Sequence, residues 1–186
     1  MKVLVFIGPS GSGKSTLVRE LHDRGIVDVM PSWTTRPRRR EEAGEGVEHR
    51  FVSDAEFGRL EASGFFLEAV EMFGSRYGLP AITTSHAGSI PAIVVRAPLL
   101  RLVAKHFPDH VVYQIESDLE TVSRRLRRRG ADADMPARLA GYAGELVLGR
   151  ERADRIFDSG GLPEDAVRDV QRAIEDDFAP IERGCR

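Results

Sequence analysis

The hydrophobic pattern changes period several times along the chain. Residues 3–7 (VLVFI) form a short continuous apolar run of strand formers. That is the pattern of a strand buried on both faces in a parallel sheet. Further apolar runs at 92–95 and 110–115, and a short one at 155–157, predict three more strands. Between them apolar positions recur at helical spacing over 14–24 (Leu17, Val18, Leu21), 99–106, 119–129, 135–152 and 163–178. Strands alternating with helices predict βαβ units and a mostly parallel sheet. Residues 31–90 interrupt this rhythm. They hold a basic stretch at 36–40, an acidic, glycine-containing turn at 41–46, and strand candidates near 49–52, 66–71 and 76–77. A helix is predicted over 54–62 with Ser53 as its N-cap. The pattern reads as a single domain, 1–186, with an inserted α+β subdomain.

Composition narrows the class. The chain has 186 residues, 41% of them hydrophobic and 30% charged, as expected of one soluble globular domain. Its net charge of −2, from 27 basic and 29 acidic residues, argues against a protein that coats nucleic acid. Of the basic residues only Lys2, Lys14 and Lys105 are lysines, so a lysine inside a motif stands out. The one cysteine, Cys185, excludes an internal disulfide and a multi-thiolate metal site. The first apolar run is shorter than the roughly 7–15 residues of a secretory signal core, and no window approaches the roughly 20 of a membrane span. A soluble cytoplasmic protein, monomer or homodimer, is expected.

Gly8-Pro9-Ser10-Gly11-Ser12-Gly13-Lys14-Ser15, followed by Thr16, matches the G-x-x-x-x-G-K-[ST] phosphate loop. It stands between a predicted buried strand and a predicted helix, where such a loop belongs. Glycines let backbone N–H groups converge on phosphate oxygens, and the helix N-terminus adds free donors and positive potential. Lys14 supplies a compact cation for the β and γ phosphates, and the Ser15 hydroxyl suits Mg2+. ATP with Mg2+ is the expected ligand of this segment.

Three further segments follow in order: Ser32-Trp-Thr-Thr-Arg36-Pro-Arg-Arg39; Phe66-Leu67-Glu68 with Tyr77-Gly78; and Arg125-Leu-Arg-Arg-Arg129-Gly130 with Ala137-Arg138-Leu139. Together with the phosphate loop this set resembles the guanylate kinase family, from Lys2 to about Ile174. The resemblance implies a P-loop NTPase three-layer α/β fold with a mostly parallel five-stranded core sheet. It implies a core at 1–30 and 90–186, an acceptor-binding subdomain at 31–89, and a short lid at about 127–141. The implied activity is transfer of the γ-phosphate of ATP to a small phosphorylated acceptor, GMP or dGMP in the first place. Arg36, Arg39 and Tyr77 would hold the acceptor phosphate, Ser32 and Glu68 would read guanine, and Arg125, Arg129 and Arg138 would close over the triphosphate.

The sequence departs from the family pattern at several of these places. His49 replaces a phosphate-binding tyrosine and can still donate to phosphate. Leu79 stands where a Ser or Thr helps bind guanine. The stretch from Ile93 to Pro98 lacks the acidic residues that end the corresponding strand, and brings Arg96 instead, as an anion contact or a solvated charge. The lid is about two residues shorter than usual, and the segment before Ile93 about three. A related branch, ribose 1,5-bisphosphate phosphokinase, also has histidine near this position and lacks the acidic strand end, but it lacks the Ser32/Glu68 pair. Guanylate-kinase-like domains that only bind peptides form a third reading. Their phosphate loops are degraded, whereas Gly13, Lys14 and Ser15 are intact here.

Overall fold

The computed structural model describes residues 1–38, 47–72, 74–81, 88–128 and 135–179, with side chains from 139 onward in the last stretch. Five strands, β1 (Val3–Ile7), β2 (Val27–Met30), β7 (Ile90–Val94), β8 (His110–Glu116) and β9 (Arg155–Asp158), form a sheet in the order β2-β7-β1-β8-β9. Every pairing in it is parallel. Side chains of β1 alternate between two packed layers. Leu4 and Phe6 meet Leu17, Val18 and Leu21 of α1 (Lys14–Asp23) and Val167, Val170 and Ile174 of α6 (Pro163–Asp177). Val3, Val5 and Ile7 meet Leu100 and Val103 of α3 (Leu100–His106). Helices thus cover both faces, which is why the VLVFI run has no polar member. Burying each such side chain is worth about 1.5–3 kcal/mol, a large share of a typical net stability of about 5–15 kcal/mol.

The sequence pattern did not reveal β2. It is the edge strand beside β7, and its residues alternate between buried and half-buried. Four residues with Asp28 in the middle leave too short an apolar signal to read as a core strand. The remaining core helices are α4 (Leu119–Arg128) and α5 (Met135–Arg150), the latter ending two residues before the expected 152.

A second sheet has the order β4-β3-β6-β5, formed by β3 (Ser32–Thr34), β4 (His49–Phe51), β5 (Phe66–Met72) and β6 (Ser75–Pro80). The β3–β4 pairing is parallel, and the β3–β6 and β5–β6 pairings are antiparallel. Its own small core is aromatic. Phe57 of α2 (Asp54–Ala62) is fully buried and stacks on Phe66 at 4.7 Å, while Trp33 meets Phe65 edge-on at 5.2 Å. The Ser53 hydroxyl accepts from the Glu56 backbone N–H at 3.2 Å, so the expected N-cap is made. A side chain at Gly78 would lie 2.6 Å from the Phe66 ring. The residue after Tyr77 must therefore be glycine for the two strands to close.

Candidate active site

Chain geometry at the carboxyl end of β1 explains the glycine loop. Gly8 has φ +149°, and a Cβ there would sit 2.4 Å from the Ile115 carbonyl oxygen. Only glycine lets the loop pass the end of β8. Gly13 has the left-handed φ of +90° and is the N-cap of α1; no side chain caps this helix and its first turn holds no acid. Its free N–H groups and dipole are therefore available to an anion. Ser10 Oγ and Ser12 Oγ are buried without a hydrogen-bond partner among the described residues, an unfavourable state for two hydroxyls unless a ligand completes them.

The loop is braced from α4. Arg125 donates through Nη2 to the Ser159 carbonyl oxygen at 2.6 Å. Its Nη1 reaches the Gly11 carbonyl oxygen and Ser159 Oγ at 3.4 and 3.3 Å. Arg125 is therefore packed directly against the phosphate loop. Arg39 and Arg129 lie outside the described residues. Arg138 falls on α5, but its side chain is outside the description.

A single cleft of about 900 Å3 runs from the loop to the second sheet. Gly8 through Ser15 line one end; Ser32, Arg36, His49, Glu68 and Tyr77 line the other. Among the predicted residues described, two fall outside this lining: Thr16, exposed in the first turn of α1, and Arg125, whose guanidinium is turned to Gly11 and Ser159. Parallel pairing sets Ser32 beside His49, and Ser32 Oγ and His49 Nδ1 share a 2.7 Å hydrogen bond. Antiparallel pairing sets Thr34 beside Tyr77, whose ring centre is 6.5 Å from that of His49. Arg36 lies over Phe51 at 5.1 Å and donates to the Pro37 carbonyl oxygen at 3.0 Å.

Internal partners occupy the charged groups at the far end. Glu68 accepts from Lys105 Nζ at 2.5 Å, and His106 Nε2 stands 3.5 Å from the same carboxylate oxygen. The Lys105 hydrogen bond holds the Glu68 carboxyl below the usual carboxylate range. Arg96 lines the cleft and is paired within the chain. Its Nε donates to both oxygens of Glu145, at 3.1 and 3.2 Å, and that carboxylate is 4% exposed. Leu79 lines the cleft as expected and adds no hydrogen bond there. Glu48 was not read from the sequence, although it stands next to His49. It accepts the Ser15 hydroxyl proton at 2.8 Å through Oε2. Lys105 was missed too, though a lone lysine in an arginine-rich chain was a usable signal.

Comparison with known proteins agrees with this geometry. The family profile described as "Guanylate kinase" matches residues 1–177. The guanylate kinase of Thermobifida fusca is 39% identical over 137 residues, covering 71% of this chain and 69% of its own. That of Streptomyces kasugaensis is 34% identical over 182 residues, covering 93% and 84%. The crystal structure of guanylate kinase from Anaplasma phagocytophilum superposes with a TM-score of 0.71 at 25% identity, over 96% of this chain and 87% of that one.

Proposed function

This chain belongs to the guanylate kinase family, and on that footing we propose that it transfers the γ-phosphate of ATP to GMP, releasing ADP and GDP, in the cleft between the two sheets. The observation that supports this most is the shared cleft itself. A glycine loop with orphaned hydroxyls opens into the same space as Arg36, His49, Tyr77 and Glu68.

Roles follow from chemistry and position. The loop N–H groups and Lys14 hold the triphosphate. Arg36, with Arg39, His49 and Tyr77, takes the acceptor phosphate, since guanidinium and hydroxyl donors both orient and neutralise it. Glu68 accepts from guanine N1–H and N2–H once Lys105 yields, and Ser32 offers its hydroxyl to O6. An acceptor phosphate oxygen, already largely ionised at neutral pH, attacks the γ-phosphorus in line. The new P–O bond forms as the bond to the ADP oxygen breaks. No general base is required; catalysis is positioning and charge stabilisation by Lys14, Arg125, Arg129 and Arg138. The Ser15 hydroxyl is a hard oxygen donor that fits Mg2+, which when bound neutralises charge on the β and γ phosphates.

We assign the core to 1–30 and 90–186, acceptor binding to 31–89, and a lid to about 127–141. Closure of the last two would exclude water and limit ATP hydrolysis. No helix among the described residues is long and apolar enough to cross a membrane; dependence on ATP and GMP pools favours a cytoplasmic setting. A coupled ADP-release assay with GMP, dGMP, AMP, CMP, UMP and ribose 1,5-bisphosphate tests the reading. GMP is expected to be turned over fastest. Turnover of ribose 1,5-bisphosphate without GMP would overturn it.

A further inference from the structure

In triphosphate sites built on this loop, the metal is held jointly by the loop hydroxyl and by a carboxylate at the end of a neighbouring core strand. Of the two strands beside β1, β8 ends in Glu116, whose carboxylate is taken up by Gln114 and Arg150, and β7 offers no such group. It runs out in Val94, Val95 and Arg96, and Arg96 is itself bound to Glu145. A magnesium site here therefore needs its carboxylate from elsewhere.

Glu48 is in the required place. It enters from the residue before β4, on the acceptor side, and reaches 33 positions back along the chain to accept the Ser15 Oγ proton at 2.8 Å. That bond consumes the hydroxyl proton and leaves the oxygen lone pairs for a cation. The second carboxylate oxygen, Oε1, is buried and has no hydrogen-bond partner among the described residues. A carboxylate oxygen in that state is costly unless a cation or a cation-bound water completes it. Ser15, Lys14 and Glu48 all line the one cleft.

We propose that Glu48 supplies the missing carboxylate of the magnesium site. It accepts the Ser15 hydroxyl hydrogen bond, fixes the hydroxyl oxygen toward the ion, and offers Oε1 to the ion or to one of its waters. The proposal rests on reading the loop as a Mg2+–ATP site. It also gives the acceptor side a direct part in metal binding, because His49, on the acceptor phosphate end, is the next residue.

The test is a titration of Mn2+, as a magnetic stand-in for Mg2+, into wild type and Glu48→Gln in the presence of a non-hydrolysable ATP analogue, read by electron paramagnetic resonance. Glutamine keeps an oxygen that can accept from Ser15, so the tie and the fold are retained while the charge is removed. Glu48→Gln should weaken Mn2+ binding by about 10–100-fold, with affinity for the metal-free analogue changed less than about twofold. Glu48→Asp, which keeps the charge, is the second variant and should stay within about fivefold of wild type in Mn2+ affinity. Wild-type Mn2+ affinity in Glu48→Gln, or a loss as deep in Glu48→Asp as in Glu48→Gln, overturns the proposal and leaves Glu48 as a tie between two segments. No acceptor is present in the titration. A wrong acceptor would therefore show as missing turnover with an intact Mn2+ response, whereas wild type that fails to bind the analogue would defeat the functional reading itself.

Discussion

The two ends of the cleft are built from different materials. At the donor end the groups facing the ligand are mainly backbone N–H donors and two hydroxyls. They are held by glycines that cannot be replaced without collision, and braced by Arg125. At the acceptor end they are long side chains on a small sheet, and each is engaged by a neighbour: Ser32 by His49, Glu68 by Lys105, Arg36 by Phe51 and Pro37. The donor end is preorganised, so a triphosphate meets its donors with little rearrangement. The acceptor end works by exchange. An incoming nucleotide must offer better partners than those already present, and an acceptor that cannot do so is penalised. On the proposed reading, discrimination between acceptors resides in the side chains, and phosphate handling in the loop.

Removing the Lys14 side chain tests the first half of this contrast and carries the largest expected effect. Lys14→Ala should lower kcat/KM by about 10²–10³-fold, as when a single transition-state donor is lost. Its thermal unfolding midpoint should stay close to wild type, because Lys14 faces the cleft rather than the core. Turnover within tenfold of wild type would mean that the backbone alone handles the triphosphate.

Arg36→Ala tests the second half. Loss of one charged hydrogen-bonding partner is worth about 1.5–3 kcal/mol, so the acceptor KM should rise by about 10–150-fold. The ATP KM should move less than about twofold. Initial-rate kinetics with each substrate varied in turn makes the distinction. Equal increases in both constants would show that Arg36 serves the whole cleft, and that the two ends are not separable.

The same contrast explains what could be read from the sequence. The donor end was legible because backbone conformation is written locally. VLVFI, the glycine spacing and Lys14-Ser15 are contiguous, and each glycine meets a steric demand that the fold then imposes. The inserted region was legible in its helix, down to the Ser53 cap, and in three of its four strands, because turn and cap chemistry is also local; the three-residue β3 was not read as a strand. Its internal partners were not. Lys105 and Glu68 are 37 residues apart, and Arg96 and Glu145 are 49 apart; no periodicity signals such pairs. Arg96 could be read only as an isolated charge, since the carboxylate that takes it up lies on α5. The four-residue strand β2 escaped for a related reason: an edge strand half-covered by its neighbours carries too few apolar positions to announce itself.

The smallest effect is the most informative about exchange. Lys105 is well exposed, at 63% of its side chain, whereas Glu68 is 24% exposed and lines the cleft. An exposed pair of this kind is weak, so it competes with an acceptor base without blocking it. Lys105→Met keeps the aliphatic stem and removes the charge. It should free Glu68 to accept from guanine and lower the GMP KM by about two- to fivefold, leaving kcat and the ATP KM within error of wild type. The Glu68 carboxyl, no longer held down by the ammonium, should titrate closer to its ordinary range. The low-pH limb of GMP binding should shift upward with it, because a carboxylate that protonates at higher pH loses its acceptor role at higher pH. A higher GMP KM in Lys105→Met would reverse the assignment. Lys105 would then be a contact for the acceptor itself, and the acceptor end would be as preorganised as the donor end.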